Sequence, residues 1–287
     1  MPVACDDLRA FLQADGGCML VEVAAVDGST PREAGAWMLV SATATFATIG
    51  GGQLEFMAID HARRALRQGQ PAAPLTIPLG PEIGQCCGGR VRLVFVTVTP
   101  ALAARLLERR DREVAARPSV HLFGAGHVGN ALALALSLAP VRTILVDGRA
   151  DELAAARIPG VETRLTAVPE AVVREAPKGS AFVVLTHDHA LDFLIAAEAL
   201  RRDDAAYVGM IGSKTKRATF RSWLSREGGP ATLADRLVCP IGGAMLHDKR
   251  PAVIATLAAA EILTAVLSPA GPGHIPVEGR SAARPAD

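Results

Sequence analysis

Hydrophobic and polar residues follow a strand-like pattern in the first third of the chain. The candidate strands are the apolar runs at residues 20–26, 37–40 and 91–98. Beyond them, residues 101–117 repeat apolar side chains at helical spacing opposite a charged face, and Pro118 follows. The pattern therefore predicts a small N-terminal α+β domain over 1–100 and a connecting helix over 101–118.

In the second half, short apolar runs alternate with alanine-rich segments of helical periodicity. These runs are residues 120–123, 143–146, 181–186 and 207–211. Such alternation is typical of a parallel sheet with helices on both faces. We therefore expect an α/β chain whose C-terminal domain, 119–267, is a Rossmann-like doubly wound parallel sheet. A last helix begins near Pro251, and residues 268–287 have the Pro-, Gly- and Ala-rich composition of a flexible tail.

Composition narrows the function classes. Half of the 287 residues are hydrophobic, which is enough for a sizeable core. A formal net charge of +1 and 4% aromatic residues argue against a nucleic-acid partner, because such binders carry basic surfaces and stacking platforms. The five cysteines are odd in number and scattered, so they do not form a disulfide framework. Without a signal-like or membrane-length apolar segment, we expect a cytoplasmic protein and no membrane partner.

The segment from residue 119 to residue 147 has the pattern of a nucleotide-binding βαβ unit. Gly124 permits a tight turn, Gly126 lets the backbone approach a phosphate, and Gly129 lets the helix pack on the strand. His127 lies at the helix N-terminus, where free N–H groups favour an anion. Asp147 ends the second strand, where a carboxylate usually receives ribose hydroxyls. The alternative is a glycine turn that serves only to connect strand and helix.

A polar cluster follows the strand at 181–186. His187, Asp188 and His189 lie where ligands bind a parallel sheet, at the carboxyl end of a strand. Two histidines one residue apart also suggest a metal site, but no third ligand has a compelling spacing. The remaining interpretations are a pocket lining and a cap for the next helix.

A basic glycine turn follows the strand at 207–211. Gly212, Ser213, Lys214 and Lys216 stand where a helix begins. Cations at a helix N-terminus oppose the helix dipole, and a bound anion would supply the missing negative charge. The segment therefore predicts a phosphate site, with a solvated basic face as the alternative.

The N-terminal domain carries two adjacent thiols in a glycine-bracketed segment. Gln85, Cys86 and Cys87 precede two glycines and Arg90, which could lower a thiol pKa. A loop of this kind brings soft ligands close to a cofactor, whereas the alternative is a pair of small buried hydrophobic residues. Two other glycine turns, at 28–32 and 50–55, suit contact with an anion or a polar ligand.

These segments together resemble one family in their order along the chain. The motifs are GSTPREAGAWM at 28–38, IGGGQLE at 49–55, GQCCGGRV at 84–91, FGAGHVG at 123–129, THDHALD at 186–192 and YVGMIGSKTKR at 207–217. They are similar to those of the xanthine dehydrogenase accessory proteins, the XdhC/CoxI family. One departure follows the segment CPIG at 239–242, where the chain reads GAMLHDKRPAVIA instead of a glycine-rich stretch before a Glu-Pro or Pro-Glu pair.

The resemblance implies an accessory protein, not an enzyme, that binds molybdenum cofactor. Such a chaperone holds the cofactor while a cysteine desulfurase replaces a Mo=O oxygen by sulfur, and then delivers it to xanthine dehydrogenase. We expect the cofactor phosphate near the glycine turn at 124–129 or the basic turn at 212–216. We expect the molybdenum near Gln85, Cys86 and Cys87, because thiolate is a soft ligand. A persulfide on either thiol is the alternative, and a homodimer is expected because the N-terminal half leaves strand edges to cover.

Two other functions compete with this one. An NAD(P)-dependent oxidoreductase would explain the glycine fingerprint and Asp147, with Arg149 leaving the choice between the two nicotinamide cofactors open. The chain lacks the Tyr-x-x-x-Lys pair of short-chain dehydrogenases, since Ile211 stands four residues after Tyr207. A scaffold that binds no small molecule is the third possibility.

Overall fold

The structure is a computed structural model that describes residues 5–14, 17–80, 88–243, 246 and 248–268. The chain divides into two compact units. Val3–Ala115 form the first, and the second contains Ala116–Asp287.

The N-terminal unit is built on an antiparallel sheet of five strands in the order β3-β2-β1-β5-β4. The strands are β1 (Cys18–Asp27), β2 (Trp37–Ser41), β3 (Thr45–Ala47), β4 (Leu75–Pro78) and β5 (Arg90–Thr97). The helices are α1 (Cys5–Gln13), α2 (Gly52–Gln68) and α3 (Pro100–Ala115).

Both faces of this sheet are covered by helices because successive strand residues point to opposite sides. Met19 and Val21 of β1 face the core under α2, where Leu54 and Ala58 are buried. Leu20, between them in sequence, belongs to a second cluster with residues of α1 and α3. The helix predicted at 101–118 is therefore packed on the N-terminal sheet.

The C-terminal unit is a parallel sheet in the order β10-β9-β6-β7-β8, which confirms the predicted Rossmann-like fold. Its strands are β6 (Ser119–Phe123), β7 (Arg142–Asp147), β8 (Val161–Leu165), β9 (Ala181–Val184) and β10 (Tyr207–Met210). Its helices are α4 (His127–Leu136), α5 (Ala150–Ala155), α6 (Pro169–Glu175), α7 (His189–Arg201), α8 (Lys214–Arg226) and α9 (Pro251–Leu267), with a 3-10 helix at Ala231–Arg236.

Two hydrophobic cores lie on opposite faces of the parallel sheet. Helices α4, α5 and α9 cover one face, and α6, α7 and α8 cover the other. The central strands β6 and β9 are buried on both faces; β9 is a continuous apolar run, and β6 is apolar except for the buried Ser119 and His121. In the described part of the chain, no helix is long and apolar enough to cross a membrane.

Three strands were not predicted. They are β3, β4 and β8. All three are short edge strands, and β8 reads VETRL with four of its five residues exposed. Charged residues on an edge strand discourage unwanted pairing, but they also remove the apolar run from which a strand is predicted. The predicted tail, residues 268–287, lies outside the described residues except for Ser268.

The buried imidazole of His121 is the least favourably placed polar group in the central strand β6. His121 is 5% exposed and stacks on Phe182, with ring centroids 5.5 Å apart. Neither ring nitrogen has a hydrogen-bond partner among the described residues. Burial is the largest cause that lowers the pKa of His121, to about 4. The positive charges of Arg142, Arg164 and Arg202 lower the pKa further, and the negative charge of Glu162 acts in the opposite direction.

His121 should make the protein less stable in mild acid. Its pKa falls on folding, so the unfolded chain binds more protons as the pH drops from about 6.5 to about 4. We expect the unfolding free energy to lose about 3 kcal/mol through this residue over that range. Urea unfolding of the wild type and His121→Phe at pH 7 and pH 4.5 measures it. The Phe variant should lose less stability, and equal losses in the two proteins would contradict the assignment.

Candidate functional site

The site lies at the carboxyl ends of the parallel strands, where the strand order reverses. After β6 the chain moves to β7 and β8 on one side, and it then returns to β9 and β10 on the other. The loops that follow β6 and β9 therefore leave the sheet in different directions. Ligands of open α/β sheets bind in the crevice at this switch point.

The three glycines after β6 differ in how closely other atoms pack against them. A Cβ on Gly124, whose φ is +119°, would lie 2.7 Å from the carbonyl oxygen of Leu185. A Cβ on Gly129 would lie 1.9 Å from the carbonyl oxygen of Gly124, so helix α4 packs directly on the turn. Gly126 has an ordinary φ of −76° and open space where a Cβ would be. Two of the glycines are thus required by packing, and Gly126 faces open space.

The N-terminus of α4 is open to an anion. Gly126 is its N-cap residue and provides no side-chain cap. His127, the first residue of the helix, is exposed. The N–H groups of a first helical turn have no partner within the helix, and the helix dipole adds positive potential there. This end of α4 could receive a phosphate oxygen through backbone donors alone.

Asp147, at the end of β7, is held by protein donors. Its two carboxylate oxygens accept hydrogen bonds from the backbone N–H of Ala125 at 2.8 Å and from the guanidinium of Arg149 at 3.0 Å. Burial alone would raise the pKa of Asp147, but these hydrogen bonds hold it below its ordinary value. Asp147 therefore fixes the glycine turn through Ala125, and Arg149 neutralises its charge.

The loop after β9 is a helix cap built around Asp188. The Asp188 carboxylate accepts from the backbone N–H of Ala190 at 2.8 Å and of Leu191 at 3.3 Å, which makes it the N-cap of α7. His187 and His189 are exposed on either side. No group of three or more metal-ligating side chains occurs among the described residues, so the described structure assembles no metal site around the histidines.

The loop after β10 begins α8 in a similar way. The Ser213 hydroxyl caps the helix by accepting from the backbone N–H of Lys216 at 3.2 Å. A Cβ on Gly212 would lie 2.8 Å from the Cδ atom of Lys216 and 3.2 Å from the sulfur of Cys239, so a larger residue here would displace the Lys216 side chain. Lys214 is exposed. The two lysines of the predicted phosphate site therefore differ, since Lys214 is exposed and Lys216 turns inward.

Lys216 forms a buried ion pair with Asp192 of α7. The Asp192 side chain is completely buried, and that of Lys216 is 11% exposed. The Lys216 ammonium also donates to the carbonyl oxygen of Ile211 at 3.1 Å, and the Thr186 hydroxyl donates to Asp192 at 2.6 Å. This network ties the loops after β9 and β10 together. Breaking a buried pair of this kind costs far more than its net stabilisation.

Two residues of this region were missed as members of the site. In the sequence, Asp192 is only the last residue of the motif at 186–192, and Cys239 is only one of five scattered cysteines. Cys239 is buried beside Gly212, with its sulfur 3.8 Å from the carbonyl oxygen of Ser213. Burial raises the pKa of this thiol, while Lys216 and Arg217 act in the opposite direction. A contact between residues so distant in sequence leaves no local signal.

In the N-terminal unit, three glycine motifs converge at one place. A Cβ on Gly89 would lie 2.3 Å from the carbonyl oxygen of Ser29, and one on Gly50 would lie 3.0 Å from Pro31. The Glu55 carboxylate accepts from the backbone N–H groups of Ile49 and Gly51, both at 3.1 Å. The carboxylate of Glu55, in helix α2, therefore binds the backbone of the glycine run at 50–52, where the sequence predicted an external anion or polar ligand.

The structure brings the predicted C-terminal residues to one edge of the sheet. They are Gly124, Gly126, His127, Gly129, Asp147, His187, Asp188, His189, Gly212, Ser213, Lys214 and Lys216. Their role as ligand contacts stays a prediction. Gln85, Cys86 and Cys87 lie outside the described residues, so the expected molybdenum contact also stays a prediction.

Comparison with known proteins supports the family resemblance of the sequence motifs. Residues 120–262 match the model of the XdhC Rossmann domain, and residues 11–77 match that of the XdhC and CoxI family. The uncharacterized protein YqeB of Escherichia coli (strain K12) is 29% identical over 246 residues, which cover 82% of this chain and 41% of YqeB. The chain thus spans about two fifths of the length of this curated relative.

A solved structure shows a similar fold. The crystal structure of a Bacillus halodurans protein described as a xanthine dehydrogenase has a TM-score of 0.76 and 17% identity, covering 92% of this chain and 95% of that one. An imine reductase variant from Myxococcus stipitatus, in complex with NAD+, has a TM-score of only 0.27 and 19% identity over 39% of this chain and 38% of its own. The second value is too low to support an argument. The matches to both family models, in two compact units, show that the chain belongs to the XdhC/CoxI family.

Proposed function

We propose that this chain is an accessory protein of xanthine dehydrogenase maturation that binds molybdenum cofactor. It holds the cofactor while a cysteine desulfurase exchanges a Mo=O oxygen for sulfur, and then transfers it to the dehydrogenase. Family membership supports the maturation role. The cofactor is cargo in this scheme, and the protein itself turns over no substrate.

The observation that carries the proposal is the anion cradle at the start of α4. Apart from Gly126 and its two neighbours in the chain, no atom of the described residues lies within 4 Å of the position where a Cβ on Gly126 would be. No described side chain caps the first turn of α4, so its backbone N–H groups can donate to a ligand. The cofactor carries a terminal phosphate, which suits backbone donors at a helix N-terminus. Lys214 lies exposed at the same sheet edge and could add a positive charge.

The molybdenum end of the cofactor is assigned to the segment with Gln85, Cys86 and Cys87. Thiolates suit a soft metal, and the glycines that bracket this segment permit close approach. We infer that the thiols hold the metal and do not carry the sulfur, because in this scheme the desulfurase donates it.

An NAD(P)-dependent oxidoreductase is the second candidate, because a glycine turn and an acid at the end of β7 are typical of dinucleotide sites. Two contacts disfavour it. Asp147 is already bonded to Ala125 and Arg149, and it would have to exchange these donors for a ribose. Tyr207 is 3% exposed and donates to Glu261 at 3.0 Å, so it is poorly placed to transfer a proton to a substrate.

Cofactor retention tests the proposed function. Full-length protein isolated from molybdenum-replete cells should contain molybdenum and a pterin, measured by elemental analysis and by oxidation to fluorescent pterin derivatives. Replacing both Cys86 and Cys87 by Ser should reduce the molybdenum and leave the fold intact, as checked by circular dichroism.

Two results would argue against this function. Tight binding of NAD(H) or NADP(H) in a calorimetric titration, together with hydride transfer, favours the oxidoreductase. Absence of any bound pterin, when the protein is folded and the cells supply active xanthine dehydrogenase, favours a scaffold.

Full retention of molybdenum in the double Ser variant would show that Cys86 and Cys87 do not hold the metal.

Gly126, the N-cap residue of α4, and Gly129, in its first turn, form a matched pair of variants. Gly126→Val should cost about 1 kcal/mol or less of stability, because its backbone conformation is open to all residues, but should abolish cofactor retention. Gly129→Ala should cost more than about 2 kcal/mol, because its Cβ would meet backbone at 1.9 Å. Urea unfolding and pterin analysis measure both effects. A stable Gly126→Val protein that retains the pterin would show that the cradle does not hold the cofactor.

A further inference from the structure

The outer edge of β8 has an unusual sequence for an edge strand. Among the residues that the structure describes, no strand pairs with this edge, and all residues of β8 from Glu162 to Leu165 are exposed. Leu165 is 58% exposed. Read in both directions, VETRL places an apolar residue at each end, opposite charges next to the ends, and Thr163 at the centre.

The backbone of this edge can pair at Thr163 and Leu165, whereas the N–H of Val161 already donates to the carbonyl oxygen of Ile158 at 3.1 Å. The N–H of Thr166 donates to the carbonyl oxygen of Asp147 in β7 at 3.1 Å. Since N–H and C=O groups alternate sides along a strand, those of Thr163 and Leu165 point away from β7. An added antiparallel strand would therefore form a hydrogen-bonded pair at Thr163.

We propose that β8 pairs antiparallel with β8 of a second copy of this chain, about a two-fold axis at Thr163, so that the two parallel sheets join into one. In this register Thr163 faces Thr163 of the second copy, Val161 faces Leu165, and Glu162 faces Arg164. A two-fold interface uses the same surface of both copies, as such a self-complementary strand requires.

Charge selects this register over its neighbours. A two-fold axis at Glu162 would place the two copies of Glu162 opposite each other, and an axis at Arg164 would do the same with two guanidiniums. Like charges directly opposite destabilise a sheet, and opposite charges stabilise it. Only the axis at Thr163 pairs unlike charges along the strand.

The proposed pairing extends ion pairs that each copy already has. Arg142 and Glu162 are 2.6 Å apart, as are Arg164 and Glu175. Across the axis, Glu162 of one copy and Arg164 of the other would join these pairs into a row of alternating charge. Charged rows of this kind contribute more to the choice of partner and register than to affinity.

The opposite face of β8 offers apolar surface to the second copy. A groove of about 640 Å³ lies beside this edge, between α5 and the strand. Its lining includes Leu153, Ile158, Val161 and Leu165. Strand alternation puts Val161, Thr163 and Leu165 on this face, away from the charges. Leu165 and Val161 of the second copy would cover the apolar strip.

Reciprocal charge variants of the full-length chain test the proposal. Wild type should be a dimer by sedimentation velocity. Glu162→Arg leaves only arginines at positions 162 and 164, and Arg164→Glu leaves only glutamates, so each variant alone should dimerise at least about tenfold more weakly. An equimolar mixture restores unlike pairs and should form a heterodimer with affinity near that of the wild type. Heterodimer formation also shows that both variants are folded.

Cross-linking tests the register. The Cα atoms of a hydrogen-bonded antiparallel pair lie about 5.5 Å apart, so Thr163→Cys should form an interchain disulfide under mild oxidation. Val161→Cys is the matched control, because its two copies would be about 14 Å apart along the strands. The wild type reports the background from native cysteines.

A monomeric wild type, a dimer unaffected by either charge variant, or equal cross-linking at positions 161 and 163 would each overturn the proposal.

Discussion

The contact between helix α4 and the glycine turn before it is the constraint on which the site depends. Gly129 packs against the Gly124 carbonyl, and Gly124 packs against the end of β9. These contacts fix the direction of α4 at the point where the strand order reverses. They leave the first turn of the helix facing the crevice between the loops after β6 and β9. Because the packing is done by backbone atoms, only glycine fits at either position.

Ion pairs within the protein neutralise charged side chains at the carboxyl ends of the parallel strands. Asp147 binds the turn through Ala125, and Arg149 neutralises it. Asp192 and Lys216 join the loops after β9 and β10 inside the protein. Both pairs use charges that the sequence alone would assign to ligands. Backbone N–H groups at the start of α4 and the exposed Lys214 are donors that these pairs do not use. This arrangement favours a phosphate bound at one end over a ligand surrounded by charged side chains.

The fold could be predicted from the sequence where the residues that define an element lie close together along the chain. The unit β6-α4-β7 follows from three glycines, an apolar strand on each side and one acid, all within 29 residues, 119–147. The edge strand β8 was missed because its exposed positions are charged, and a short strand needs an apolar run to be seen. The buried pair of Asp192 and Lys216 was missed because 24 residues separate them. The role of Glu55 was missed because only the folded loop brings its carboxylate to the glycine run.

The central claim is that backbone N–H groups at the start of α4 hold the cofactor phosphate. Amide hydrogen exchange of the full-length protein, with and without molybdenum cofactor, measures those groups directly. The account predicts slower exchange at His127, Val128 and Gly129 when the cofactor is bound, because each amide would gain an acceptor or lose contact with water. Unchanged exchange at these three residues, with protection appearing elsewhere in the chain, would contradict it.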